Sequence, residues 1–395
     1  MMVPAAALAA PARSLALIPG SWSATIGITN NGVIVSASWD QTLYAIGWDS
    51  MVVSPDAGTT WNAGLPVAGA VVVEDYVMYR ANITSYEAVI WFSASSDNGS
   101  TWTDPVQALQ LAGWNDGAYG IAKFGSLLIV YSYENAGLSI GSLACARSED
   151  LGATWGPRIV IDPEVHVEDP RAADMVMFNG DLYFAYYNYT DVPRLVYDLV
   201  VIQSADLGLT WSGRTIVGEG FMPLLKSDGT ALYITYLDTS NPSRIDIGFT
   251  KSPDGASWTA PDSIAQMTEF TDQSNVHALA VAEGSVFVAY VDYDSSGPTF
   301  LVKVLGSYDG GASWHDLGNV AGGTGDEMYP GLLIAQSKLH LTWVDGDGGG
   351  GYSGGTYYRN LELLPDVIPE FSSLPVIVAS VGLVFIGLFM RKKSH

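Results

Sequence analysis

Short runs in which apolar and polar residues alternate recur along the whole chain: Val33 to Trp39, Val77 to Ala81, Leu127 to Tyr133, Leu182 to Tyr187, Leu232 to Leu237, Val286 to Val291 and Leu339 to Val344. A period of two sends successive side chains to opposite faces, so each run predicts a β-strand with one side in a core. Gly- and Asp-rich stretches such as Asp345 to Gly355 read as loops. Nothing in the pattern divides the chain into two folded domains.

A second pattern is superposed on the first. Ser54-Pro55-Asp56-Ala57-Gly58-Thr59-Thr60-Trp61 returns as the same Ser-x-Asp-x-Gly-x-Thr-Trp string at Ser95 to Trp102, Ser148 to Trp155 and Ser204 to Trp211. Ser307 to Trp314 repeats it with Ser313 in place of Thr, and Ser252 to Trp258 is one residue shorter. Trp61, Trp102, Trp155, Trp211, Trp258 and Trp314 follow one another at intervals of 41 to 56 residues, the length of one four-stranded unit. The residue types fit a stapled hairpin. Asp56, Asp97, Asp150, Asp206, Asp254 and Asp309 can accept from main-chain N–H groups of their own turns, Gly supplies positive φ, and Trp buries a large face between neighbouring sheets.

Seven alternating runs against six turns imply a further unit after Trp314, made of Leu339 to Val344, Thr356 to Leu363 and a strand before them. Ser14 to Pro19 is the expected fourth strand that closes the ring and removes its open edge. The strings resemble the Asp boxes of sialidases and their relatives. That resemblance implies an all-β β-propeller of four-stranded blades, seven preferred over six, with the boxes between third and fourth strands on the face away from the ligand site.

Composition narrows the partners. Lys and Arg total 17 against 41 Asp and Glu, and a net charge of −24 argues against nucleic acid and against an anionic membrane surface. Cys145 is the one cysteine, so no intramolecular disulfide forms. Residues 374–390 are apolar apart from Ser380 and end at Arg391, Lys392 and Lys393, which reads as a transmembrane helix with residues 391–395 as a cytoplasmic tail and the propeller, residues 14–365, at the cell surface. Ile368-Pro369-Glu370-Phe371, within the linker 366–373, resembles the Pro-Glu-Phe sorting signal of archaeal surface proteins, which implies exchange of the helix for a lipid. Residues 1–13, with Ala7-Leu8-Ala9, read as the remnant of a signal peptide. Sequons at Asn82, Asn98 and Asn188 are compatible with an outside location.

If the boxes mark one face, the chemistry belongs on the other. Loops entering the inner strands bring Asp116, Glu168, Asp169, Arg171, Asp272, His277, Asp326, Glu327 and Tyr329, and the ends of second strands bring Asp40, Glu134, Asn188, Asp238, Asp292 and Asp345. Trp22, Trp39, Trp114, Tyr119, Phe221 and Trp343 flank them. Carboxylates beside aromatic platforms suit a sugar, whose hydroxyls bond to ionised acceptors and whose ring stacks on flat apolar faces. Glu168, Asp169, Arg171, Asp272, Glu327 and Tyr329 are the candidates for catalysis; Trp114, Asp116, Tyr119, Phe221, His277, Asp326 and Trp343 are those for ligand binding.

Sialidase chemistry requires three arginines around the substrate carboxylate, and no arginine stands between Arg13 and Arg80. Val167-Glu168-Asp169-Pro170-Arg171, with Gly180 to Tyr183 and Tyr186 to Asn188, resembles a blade of mannoside phosphorylases, which implies Asp169 at the sugar and Arg171 orienting it. No cofactor is expected. His277 and His340 are too isolated for a metal site, and Asp345-Gly346-Asp347 lacks the spacing of a calcium loop. The sequence thus points first to a surface propeller that binds a glycan or surface protein, then to an exo-acting glycoside hydrolase, then to a structural or adhesive envelope protein.

Overall fold

The computed structural model describes residues 22–29, 33–47, 50–62, 64–83, 88–113, 119–135, 140–166, 173–191, 196–267, 276–294, 299–320, 326–346 and 355–363. Among them every regular element is a β-strand, and no helix is long and apolar enough to cross a membrane. The anchor, the Pro-Glu-Phe segment and the signal-peptide remnant lie outside the described residues.

Hydrogen bonding groups the strands into six antiparallel sheets, five of four strands and one of seven. The large sheet is two four-strand units sharing Thr215–Ser227. Its residues Thr215 to Glu219 pair with Val196–Ser204, and Gly220 to Ser227 pair with Leu232–Asp238. A continuous strand therefore serves as the outer strand of one unit and the inner strand of the next. Counted this way, the chain forms seven successive units.

The first unit is Val33–Trp39, Thr42–Gly47, Ser50–Ser54 and Leu65–Pro66, and the second is Ala70–Glu74, Val77–Ile83, Val89–Ser95 and Val106–Gln110. The third is Tyr119–Phe124, Leu127–Asn135, Ile140–Ser148 and Ile159–His166. Asp174–Phe178, Asp181–Asp191 and Val196–Ser204 open the fourth, and the fifth ends with Leu232–Asp238, Asp246–Ser252 and Asp262–Gln266. His277–Ala282, Ser285–Asp294, Thr299–Ser307 and His315–Asn319 make the sixth. The seventh is Asp326–Ala335, Lys338–Gly346 and Gly355–Glu362, completed by Ile26–Thr29 from the other end of the chain. Each inner strand lies against the next, and Asp326–Ala335 returns to Val33–Trp39, so the units form a closed, propeller-like ring.

Closure thus uses Ile26–Thr29, where Ser14 to Pro19 was expected; the latter lies outside the described residues. Hydrogen bonds reinforce the seam: Ser23 N–H to the Asn360 carbonyl (2.8 Å), Arg359 Nε to Thr25 Oγ1 (2.6 Å) and Trp22 Nε1 to the Leu317 carbonyl (3.1 Å). Six of the seven alternating runs are second strands, as expected. Val33–Trp39 is instead an inner strand, because Asp40, at a φ of 51°, turns the chain there and hands the second place to Thr42–Gly47. Asp40 and Trp39 consequently belong to the face of the Asp turns. Tyr76 donates to Asp40 Oδ2 at 3.2 Å, and Trp39 packs edge-on against Tyr76 at 6.2 Å.

The repeated turns have one hydrogen-bond pattern. At Asp150 the carboxylate accepts from the Thr154 amide (2.8 Å), the Thr154 hydroxyl (2.6 Å) and the Ser148 hydroxyl (2.7 Å), while the Gly152 amide donates to Ser148 Oγ at 2.8 Å. Asp56, Asp97 and Asp206 repeat this set; Asp254 and Asp309 keep its main-chain and serine bonds. The threonine hydroxyl, then its amide, hold Asp97, Asp150 and Asp206 down at a pKa of about 2. These aspartates are committed to their own hairpins.

Candidate functional site

The face opposite the Asp turns carries the links into each inner strand and the connections from second to third strands. Trp114, Asp116, Glu168, Asp169, Arg171 and Asp272 lie outside the described residues, and Asp326 is described only as the first backbone position of its strand. The remaining candidates can be placed.

Carboxylates at second-strand ends are engaged in the fold. Glu134, buried, accepts a forked pair from Arg158 (Nε to Oε1 at 2.8 Å, Nη2 to Oε2) and the Ser142 hydroxyl at 3.1 Å. Asp292 accepts from Lys303 Nζ at 2.5 Å and the Tyr293 amide at 2.9 Å. Asp238 caps the Ser240 amide (2.8 Å), and the Asn188 side-chain oxygen accepts from the His166 amide (2.8 Å). Glu327 is buried within the ring and accepts from the Val302 amide of the sixth unit at 3.2 Å. Asp162 of the third unit takes two bonds from Arg214 of the fourth, at 2.6 and 2.9 Å, and one from Tyr186. Charge at these positions joins strands and units, which is the satisfied state that burial demands.

The aromatic candidates divide. Trp343 is buried, stacked on Tyr357 with centroids 5.9 Å apart, and serves as core. Tyr119 is also enclosed; burial pushes its phenol up to about 12, and it bonds to the Ile83 backbone. Phe221 is the half-buried member of a group that sequence reading only partly anticipated. It meets Tyr197 at 5.2 Å and Tyr187 at 6.2 Å, and Tyr197 meets Tyr189 at 5.0 Å. These rings come from the upper ends of three strands around the crossing of Thr215–Ser227 from fourth unit to fifth. Tyr187 and Tyr189 are buried beneath, and Phe221 and Tyr197 keep partial exposure at the rim. Tyr197 carried no signal beyond its tyrosine neighbours in sequence, because its pairing with Tyr189 follows only from strand register.

Two inner strands are bent, one at this rim and one in the seventh unit. Met222 and Tyr329 have φ of 54° and 55°, each directly before a proline, Pro223 and Pro330, and each within a register shift of its strand. A non-glycine residue held there costs about 1–3 kcal/mol, and bulges of this kind re-aim side chains near sites. Between these strands lies His277–Ala282. His277 is buried, its pKa pushed down to about 4 by burial, and its Nε2 has no hydrogen-bond partner. Among the described residues no three His, Cys, Asp or Glu side chains are grouped to hold a metal.

No protein family and no curated protein matches the sequence. Among solved structures, the chain is similar to a protein of unknown function from Dyadobacter fermentans (14% identity, 88% of this chain and 100% of that one, TM-score 0.48). It is likewise similar to an α-L-arabinofuranosidase of Fusarium graminearum (13%, 87% and 98%, TM-score 0.49) and to a sialidase of Trypanosoma rangeli (15%, 76% and 56%, TM-score 0.45). These are likenesses in the course of the chain alone.

Proposed function

We propose that the protein is a seven-bladed propeller of the Asp-box type that binds a glycan at the mouth opposite the boxes, held at the cell surface by residues 374–390. The observation that carries the binding reading is the rim formed by Phe221 and Tyr197 over Tyr187 and Tyr189: flat rings with partial exposure are what a pyranose or furanose face stacks on. Among the described carboxylates on this side, Glu134, Asp162, Asp292 and Glu327 are occupied by protein donors, which suits a role in the fold better than proton transfer to a glycosidic oxygen and supports binding as the first reading. An anchor made of the apolar run 374–390 and its basic stop fits the same picture.

The test is an array of mannosyl, arabinosyl and sialyl glycans probed with the full-length protein in detergent, with Phe221→Ala and Tyr197→Ala in parallel. Each truncation is expected to weaken binding about five- to tenfold, the worth of one aromatic contact. Binding indifferent to both sinks the rim as the site, and turnover of matching reporter glycosides replaces the binding protein with a hydrolase.

A further inference from the structure

We propose that Asn98, on the turn of the second unit, is a site of N-linked glycosylation whose side-chain nitrogen takes an oligosaccharide from a lipid-diphosphate donor. The inference rests on the cell-surface part of the proposed function, because this modification belongs to chains that leave the cytoplasm.

Three Asn-x-Ser/Thr strings stand in the sequence: Asn82-Ile83-Thr84, Asn98-Gly99-Ser100 and Asn188-Tyr189-Thr190. A glycan is bulky and hydrated, so a folded chain carries one only where the amide nitrogen ends in solvent. Asn188 fails this condition. It is 3% exposed within Asp181–Asp191, and its side-chain oxygen accepts from the His166 amide at 2.8 Å. Asn82 is half-buried within Val77–Ile83, where it stands opposite Trp91 of the neighbouring strand. Asn98 meets the condition. It is exposed, at a φ of 56°, in the hairpin turn between Val89–Ser95 and Val106–Gln110, and Ser100, the hydroxyl residue that the string requires, is exposed on the same turn.

The two halves of the Asn98 amide have separate duties. Tyr44 of the first unit, itself buried, donates its hydroxyl to Asn98 Oδ1 at 2.9 Å. The amide is planar, so holding Oδ1 against the ring turns Nδ2 to the solvent side, where it has no partner among the described residues. The turn itself is held by Asp97, which accepts from the Thr101 amide at 2.8 Å, the Thr101 hydroxyl at 2.6 Å and the Ser95 hydroxyl at 2.8 Å. Neither Nδ2 nor the Ser100 hydroxyl is spent on these bonds, and a substituent on the nitrogen leaves the hairpin intact. In the transfer, Nδ2 forms a bond to the anomeric carbon of the sugar and the bond from that carbon to the diphosphate oxygen breaks. The lipid diphosphate leaves with the bonding pair, and one amide proton is released. The Asp turns lie on the face away from the aromatic rim, so a glycan here leaves the proposed binding mouth clear.

The experiment takes the full-length protein from the membranes of the cells that make it, as wild type, Asn98→Asp, Ser100→Ala and Ser100→Thr. Intact mass, peptide fragment masses and Tm are read for each, and intact cells are labelled with a membrane-impermeant amine reagent. Asn98→Asp keeps an oxygen for Tyr44, and Ser100→Ala removes only an exposed hydroxyl, so both variants keep the fold. The expected result is surface-labelled wild type with an oligosaccharide mass located on Asn98, lost in Asn98→Asp and in Ser100→Ala and kept in Ser100→Thr. A bare Asn98 in surface-labelled protein overturns the inference and leaves the surface reading standing, whether or not Asn82 or Asn188 is modified. A mass on Asn98 that persists in Ser100→Ala overturns it too, since the attachment then ignores the string. Protein neither labelled nor glycosylated removes the surface reading and this inference together.

Discussion

Three residues before five of the six turn serines stands the side chain that the next unit's tryptophan meets. Phe92 receives Trp155 with centroids 5.3 Å apart and Phe249 receives Trp314 at 5.2 Å; in the unit without an Asp turn, Tyr358 receives Trp61 at 5.3 Å. Met51 and Val201 share their cores with Trp102 and Trp258, and Cys145 meets Trp211. The single cysteine is thus one more filler of this socket, its thiol pushed up to about 12 by burial and poorly suited to react. The turn glycine reaches the same socket. A Cβ on Gly58 stands 2.0 Å from the Tyr358 hydroxyl, on Gly152 2.1 Å from Phe92, and on Gly311 2.2 Å from Phe249, so glycine is required by contact as well as by its positive φ. Gly58→Ala is expected to destabilise the protein by about 3 kcal/mol in denaturant titration, through strain and the displaced tyrosine together. The pair Gly58→Ala with Tyr358→Phe recovers part of that loss, since the atom met first is the hydroxyl oxygen.

At the scale of elements, neighbouring inner strands are joined by buried ion pairs. Lys123 bonds to Glu74 and to the Gly125 carbonyl (2.7 Å), linking third unit to second, and Lys226 reaches Asp174 at 2.7 Å, linking fifth to fourth. Burial raises the Asp174 carboxyl, and the Lys226 charge opposes that rise. Lys123→Met alone strands the Glu74 carboxylate and is expected to cost about 3–5 kcal/mol, whereas Lys123→Met with Glu74→Leu lies within about 1–2 kcal/mol of wild type. Equal losses in single and double variants contradict that account. Such pairings were not legible in the sequence, where Glu134, Asp238 and Asp292 read as a ligand-facing acid rim. The second strands and the hairpin turns were legible because each is specified by local alternation and by its own eight residues. Partners such as Arg158 for Glu134, 24 positions away, or Arg214 for Asp162, 52 away, depend on register and on the neighbouring unit. The first unit misled for a related reason: Val33 to Trp39 alternates as well as any second strand, and only its pairing with Thr42–Gly47 reveals its rank.

For the whole molecule the titratable groups predict a two-stage acid response. His277 and His340 are pushed down to about 4 by burial; His340 also bonds Tyr358 across the closing sheet at 2.7 Å. Lowered histidines favour the fold fully above the unfolded pKa of about 6.5, and this contribution, on the order of 3 kcal/mol each, is lost as pH falls toward 4. The turn aspartates, held near 2, favour the fold above about pH 4 and lose that contribution between there and 2. Tm followed from pH 8 to pH 2 is expected to decline in those two windows, with His340→Gln shrinking the first. A Tm that stays level down to pH 4 contradicts the burial of both imidazoles.

The last described strand ends beside a hairpin turn of the closing unit. Glu362 pairs with Lys338, and the Leu363 amide donates to the Ser337 carbonyl at 2.8 Å, beside the hairpin turn of the seventh unit and on the same side as the Asp turns. The described chain thus ends on the underside of the ring, the side of the Asp turns. Under the proposed tether by residues 374–390, the aromatic rim would lie on the side of the ring away from the point of attachment, open to a polymer approaching from outside.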